Sequence, residues 1–456
     1  MPLTRRSSLR LVAATLASFG VGACSRRGGT PSPSRGSVIV LGAGLAGLAA
    51  ARSLVAAGYA VTVLEARGRV GGRTASAPLG EGLTIDLGAS WIHGTTDNPV
   101  AALAAELGIA TVGTELQDHD MFTKGATLSE SDDDALAALS KKFADGIDAA
   151  QEARNDDVAL LAFFESWVSA LSPLDQERAR YLLVTEIEHE YAADASRLSL
   201  LSFDAARAGR GSEAMLKGGY AQLAERVAKG LDVRLGVVVE RIAYAANGVK
   251  IHTPGMVFEA DRAVCALPLG VLKSGNVVFE PPLPSSHRAA IDRLEVGVLD
   301  KLFLRFASPF WSDATNAQML GRLDAPVGRF AEWVNLHALV GEPVLLGFNA
   351  RRIAEQLPTD DAALVALALE DLRTMFGSRV SEPVAFVRTR WGADPFARGS
   401  YSAFGVGSTP ADAQALARPL EGRLFFAGEH THPENPATTH GAWQSGQRAA
   451  AELVAT

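Results

Sequence analysis

Val38-Ile-Val-Leu-Gly-Ala-Gly-Leu-Ala-Gly47, closed by Glu65 after the next apolar run, decides the fold of this chain. Residues 37–41 are β-branched and aliphatic, as a buried parallel strand requires. Gly42, Gly44 and Gly47 follow in G-x-G-x-x-G spacing. Residues 45–57 predict a helix that Gly58 stops, and residues 59–64 a second strand. Gly42 permits the tight turn, Gly44 lets main chain approach a pyrophosphate, and Gly47 lets helix pack on strand. The helix N-terminus offers free N–H groups and the positive end of its dipole to phosphate. Glu65 stands where a carboxylate accepts both hydroxyls of an adenosine ribose. Strand, helix, strand and acid in this order predict a dinucleotide-binding unit rather than a glycine-rich turn.

The chain has 456 residues, 48% of them hydrophobic, enough for a large core and two domains. A net charge of −8 provides no broad basic footprint and argues against a nucleic-acid partner. Thr4-Arg-Arg-Ser-Ser-Leu-Arg10 precedes an apolar run at 11–23 that is short for a membrane span. Residues 1–24 resemble a twin-arginine export signal, a route for folded proteins. Val21-Gly-Ala-Cys24 resembles a lipoprotein cleavage box, with Cys24 as the lipidated residue and a membrane tether; ordinary signal cleavage is the alternative. Residues 25–36 read as a flexible linker. The only other cysteine, Cys265, lies in an apolar strand and reads as core.

After Glu65 comes Ala66-Arg-Gly-Arg-Val-Gly-Gly-Arg73, a second glycine pair and arginine that a nicotinamide site does not need. The run resembles the extended FAD signature of the flavin amine oxidase family. That resemblance sets Arg73 and Arg67 against pyrophosphate or adenosine. Residues 84–94, Thr-Ile-Asp-Leu-Gly-Ala-Ser-Trp-Ile-His-Gly, continue the pattern, and Trp91-Ile-His-Gly94 with Asn98-Pro99 is similar to the animal polyamine oxidases. There the matching histidine lies near flavin and amine, so His93 is a catalytic candidate; a histidine satisfied by loop backbone is the plain alternative. Val239 matches a valine whose main chain touches adenine.

Val298-Leu-Asp-Lys-Leu-Phe-Leu-Arg-Phe306 predicts a strand. A lysine entering such a strand is costly unless partnered. The resemblance makes Lys301 the residue that holds a water against the flavin; a lysine snorkelling from a strand end is the alternative. Thr389-Arg-Trp-Gly-Ala-Asp-Pro-Phe-Ala-Arg-Gly-Ser-Tyr-Ser402 resembles the lysine-specific histone demethylases. Tyr401 matches one wall of an aromatic cage, and Trp391 shapes the approach. Ser400 stands where monoamine oxidases carry the cysteine bonded to FAD, which implies non-covalent FAD. Leu424-Phe-Phe-Ala-Gly-Glu-His-Thr431 implies that Glu429 reaches the ribitol–pyrophosphate region. Residues 437–448 open a last helix, whose N-terminus would stabilise negative charge on the reduced flavin. Thr438 replaces the cage's second tyrosine and leaves room for a long substrate.

Residues 111–215 are acidic and alanine-rich, with a charged turn at 129–134 and helical spacing at 163–171 and 176–190. Glu186, Glu188 and Glu190 cluster there. Glu188, matched by an acid in relatives, is the candidate for a distal ammonium; a solvated helix face is an equal reading. The expected fold is α/β, a Rossmann-like FAD-binding domain (37–110, 216–285, 390–456) interleaved with a mixed-sheet and helical substrate domain (111–215, 286–389). The expected function is that of an exported, periplasmic or membrane-anchored FAD-dependent oxidase. It would convert a (poly)amine and molecular oxygen to aldehyde, shorter amine and hydrogen peroxide. Alternatives are an amine or amino-acid dehydrogenase using a periplasmic electron carrier, another flavin substrate class, and a non-catalytic FAD-containing amine-binding lipoprotein.

Overall fold

The computed structural model describes residues 35–207 and 209–456. The expected export signal, Cys24 and nearly all of the linker lie outside the described residues. Among the described residues no helix is long and apolar enough to cross a membrane.

The strand Ser37–Leu41 is the centre of a five-stranded sheet in the order Asp232–Arg234, Ala60–Leu64, Ser37–Leu41, Arg262–Cys265, Leu424–Phe426. Every pairing in it is parallel. Both faces are therefore covered. On one side lie the helices Leu45–Ala56, Ala221–Ala228 and Thr439–Val454. On the other lies a four-stranded sheet, Met256–Ala260, Gly248–Thr253, Arg241–Ala245 and Val278–Glu280. Close approach explains the small residues. A Cβ on Gly47 would meet Gly42 O at 1.9 Å, and one on Gly446 would meet Ala46 O at 2.1 Å. The first and last long helices of this layer thus touch through Gly446 and Ala46.

A seven-stranded mixed sheet is built from His119–Thr123, Ala126–Thr127, Leu299–Arg305, Met319–Arg322, Glu332–Asn335, Val344–Ala350 and Ala385–Arg388. Helices Glu130–Glu152, Leu160–Ser169 and Pro173–Leu182 form a separate layer with its own core around Phe143, Phe164 and Ile187. The charged run at 129–134 is no turn. Ser129 caps the Glu130–Glu152 helix by accepting the Asp132 N–H, and Glu130, Asp132 and Asp133 fill its first turn, where acids complement the dipole. Pro173–Leu182 continues as a π-helix at Leu183–Glu188 and one more α-turn at His189–Tyr191. Val239 lies in the connector between the strands Asp232–Arg234 and Arg241–Ala245.

Candidate active site

One cavity of about 830 Å³ runs from the glycine motif to the helical layer. Gly44 is the N-cap of Leu45–Ala56 with no side-chain cap, and a Cβ there would meet nothing within 4 Å. The helix therefore presents bare N–H groups to the cavity, the arrangement that receives phosphate. Glu65 accepts the Ala43 N–H (2.8 Å) and the Arg67 N–H (2.9 Å), one on each oxygen. Each oxygen keeps a second lone pair for a ribose hydroxyl. Among the described residues the main-chain N–H and C=O of Val239 have no hydrogen-bond partner, and this residue lines the cavity. These features fit the adenosine diphosphate half of a dinucleotide.

Arg73 lines the same end and donates to Ser400 O (2.9 Å) and Glu429 (3.0 Å). Burial pushes the Glu429 carboxyl up. Arg73, His430, Ser402 and the Ala437 N–H more than offset that and hold it below the usual range. The Arg67 guanidinium is gripped by both oxygens of Asp394 (2.9 and 2.8 Å) and lies 5.5 Å from the Phe396 ring centre. It ties the glycine loop to residues 394–396, and most of its charge is met there rather than offered to phosphate. Thr438 is likewise occupied: its Oγ accepts the Gly441 N–H as N-cap of Thr439–Val454 and donates to Asn435 O. That helix still opens into the cavity, through Thr438 and Thr439.

Lys301, 6% exposed, points from Leu299–Arg305 onto the 86–90 segment. Its Nζ donates to Asp86 O (3.0 Å), Gly88 O (2.6 Å) and Ser90 Oγ (2.7 Å). Burial lowers its pKa to about 8, against a smaller upward pull from Asp86. Trp391 closes the wall beside it, its indole N–H on Leu87 O (3.0 Å) and its ring against Gly88. The Tyr401 hydroxyl donates to His189 O (2.9 Å). His93 lies at the end of the strand Trp91–Ile92 with Nδ1 2.8 Å from Glu213, whose other oxygen takes the Gly94 N–H at 3.1 Å. All five of Lys301, Trp391, Tyr401, His93 and Glu213 line the cavity.

Glu188 does not. It is buried against the Ala195 N–H (3.2 Å), and the cavity is lined instead by Glu186 and Glu190 on either side of it. Positions 186 and 190 share one helical face and 188 falls on the opposite one, across the junction of the π-helix and the α-turn. Burial pushes the Glu186 carboxyl up to about 7, although Ser140 donates to it at 2.7 Å. His189 and Glu332, paired at 2.8 Å across 143 positions, also line this end. No sequence spacing announces that pair.

A dinucleotide cradle that opens into an acid-lined chamber with a buried lysine at the junction defines a flavin-dependent oxidoreductase. The model of the family "Flavin containing amine oxidoreductase" matches residues 45–454. Polyamine oxidase 4 of Oryza sativa subsp. japonica is 36% identical over 439 residues, 91% of this chain and 88% of its own length. Lysine-specific histone demethylase 1 homolog 2 of Arabidopsis thaliana is 35% identical, over 92% of this chain and 58% of its own. Wild-type putrescine oxidase bound to putrescine superposes with a TM-score of 0.75 at 23% identity, over 92% of this chain and 99% of the other, a likeness of fold. The chain belongs to the flavin-containing amine oxidoreductase family. It is a polyamine-oxidase-like, flavin-dependent amine oxidase whose FAD is held without a covalent bond. Cys265, the free cysteine among the described residues, is buried in its strand and does not line the cavity.

Proposed function

We propose that the substrate is a polyamine carrying at least two amino groups, and that oxygen takes the electrons to give hydrogen peroxide. One observation carries this reading: carboxylates crowd the part of the cavity beyond the dinucleotide end. The dinucleotide end sets Arg67, Arg73 and Arg398 beside Glu65 and Glu429, while Asp133, Glu186, Glu190, Glu213 and Glu332 line the rest, with Arg207 among them. An elongated acidic chamber suits a chain of ammonium groups better than a single aryl monoamine.

FAD, when bound, supplies the hydride acceptor and the site of reoxidation by oxygen. The protein holds and orients. Tyr401 and Trp391 wall the approach. His93, held through Nδ1 by Glu213, would orient the reacting amine or take its proton. A carboxylate only accepts, so Nδ1 carries the ring proton of the neutral imidazole. Lys301 as an ammonium has three N–H bonds and three protein acceptors. It holds a water only after losing a proton, when its lone pair becomes an acceptor and one partner is released. That water would hydrolyse the substrate iminium to aldehyde and shorter amine. Arg5 and Arg6 ahead of the apolar run support export of the folded, loaded protein.

The test is anaerobic bleaching of the flavin near 450 nm with spermine, spermidine, putrescine, phenylethylamine and lysine. Rapid bleaching by a polyamine, with peroxide on admitting air, is the expected result. Bleaching by phenylethylamine or lysine alone refutes the substrate class, and bleaching without peroxide in air points to the dehydrogenase.

A further inference from the structure

His189 is an unexpected residue to find buried. It is 6% exposed, on the single α-turn that follows the π-helix, and its Nδ1 lies 2.8 Å from Glu332. Because Glu332 can only accept, Nδ1 holds the proton and the neutral ring has its lone pair at Nε2. That Nε2 is buried and has no hydrogen-bond partner among the described residues. A buried polar atom without a partner is costly, and native structures keep few of them.

The surroundings say what the missing partner is. The ring centre of His189 lies 6.1 Å from that of Phe348, and Phe348 is the cross-strand partner of Lys301. The carbonyl of His189 takes the Tyr401 hydroxyl. On its other side the same short stretch of chain carries Glu186 into the cavity. The ring thus lies between the cage beside the reacting centre and the acidic end. A group reaching it from the reacting amine is a hydrogen-bond donor in a chamber of negative charge.

We propose that His189 is a specificity-determining residue whose Nε2 accepts a hydrogen bond from a second, non-reacting amino group of the substrate, with Glu332 as the positioning residue that holds the ring. The inference rests on the polyamine reading and adds the element that measures the chain. A monoamine leaves Nε2 unmet, and a site built to bond a donor discriminates strongly against the analogue that lacks it.

The experiment compares 1,4-diaminobutane with butylamine, equal in length and different in one amino group, on the FAD-loaded protein. His189→Phe keeps a ring beside Phe348 and removes the acceptor. It should lower kcat/KM for the diamine roughly tenfold to a hundredfold, the range of a charge-assisted hydrogen bond, and for butylamine less than about threefold. Glu332→Ala should move the ratio the same way, and Glu332→Gln, which still accepts from Nδ1, should restore most of it. Equal losses on both amines, or an unmoved ratio, overturn the proposal. Should His189→Phe fail to retain FAD, the ratio in Glu332→Ala decides alone. A wild-type protein that oxidises neither amine, nor spermidine, refutes the polyamine reading and this inference with it. One that oxidises the diamine while both variants keep the wild-type ratio refutes the inference only.

Discussion

Replacing Lys301 with methionine separates what this lysine costs the fold from what it gives the reaction. Burial takes its pKa from the ordinary 10.5 to about 8. Below pH 8 the folded and unfolded chains both hold the proton, and the full cost of burying the ammonium stands. Between about 8 and 10.5 only the unfolded chain holds it, so raising the pH favours the fold over that window. At ~1.4 kcal/mol per pH unit, the whole window is worth roughly 3 kcal/mol. Methionine has similar length and no proton to lose. The stability of the wild type minus that of Lys301→Met should therefore be flat from pH 6.5 to 7.5 and climb by at least about 1 kcal/mol by pH 9.5. Denaturant melts of the two FAD-loaded proteins at each pH read this, since titrating groups that do not sense Lys301 cancel in the difference. In the same preparations flavin reduction or reoxidation should be at least about tenfold slower in the variant, with FAD retained. A flat stability difference across the whole range would refute the buried, desolvated lysine. Unchanged half-reactions would remove it from the chemistry.

His93→Ala should raise the amine concentration needed for half-maximal flavin reduction in stopped-flow traces; an unchanged dependence would leave His93 a loop residue bound to Glu213. Gly47→Ala should abolish FAD retention after gel filtration, because its Cβ would fall 1.9 Å from Gly42 O and drive helix from strand. Glu186, pushed up to about 7, binds a proton in the fold that the unfolded chain has released between about pH 4.5 and 7, so its cost is complete above pH 7. Glu186→Gln should accordingly stabilise the protein at pH 8 by about 1–3 kcal/mol in denaturant melts, yet weaken spermidine binding roughly tenfold. Loss of stability there would show that the carboxylate is satisfied rather than strained.

The dinucleotide unit was legible because each of its residues answers a local demand. Gly47 must lack a Cβ, Gly44 must leave the helix N-terminus open, and Glu65 must end a strand. Lys301 was legible for the same reason, a charge where the pattern wants none. Other readings failed where the deciding partner is distant, where the same residues suit two kinds of element, or where a likeness was followed over the helical face. The acids at 129–134 fit a turn or a helix start equally, and only the capping Ser129 settles it. Glu188 is the one of three alternate acids that the resemblance singles out. Positions 186 and 190 share a helical face and 188 lies opposite, so Glu186 and Glu190 reach the cavity while Glu188 turns to the Ala195 N–H. His189 and Glu332 come together only because a helix end packs over the seven-stranded sheet.

The crowding of carboxylates beyond the dinucleotide end also bears on the lysine at the junction. An ammonium substrate that reaches the flavin must come close to Lys301, and two unit charges about 7 Å apart at an effective dielectric of ~20 repel by roughly 2 kcal/mol. A lysine at its ordinary pKa would carry that repulsion at every pH the enzyme meets. At about 8 it can release its proton at modest cost, and the amine must itself be uncharged to give up its α-hydrogen as hydride. The same burial that makes Lys301 expensive to fold therefore makes it tolerable beside a cation. On the polyamine reading, carboxylates such as Glu186 and Glu332 would hold the substrate's remaining charges away from Lys301. Lysine burial and the placement of the acids are two halves of one electrostatic arrangement, and changing either should shift the pH dependence set by the other.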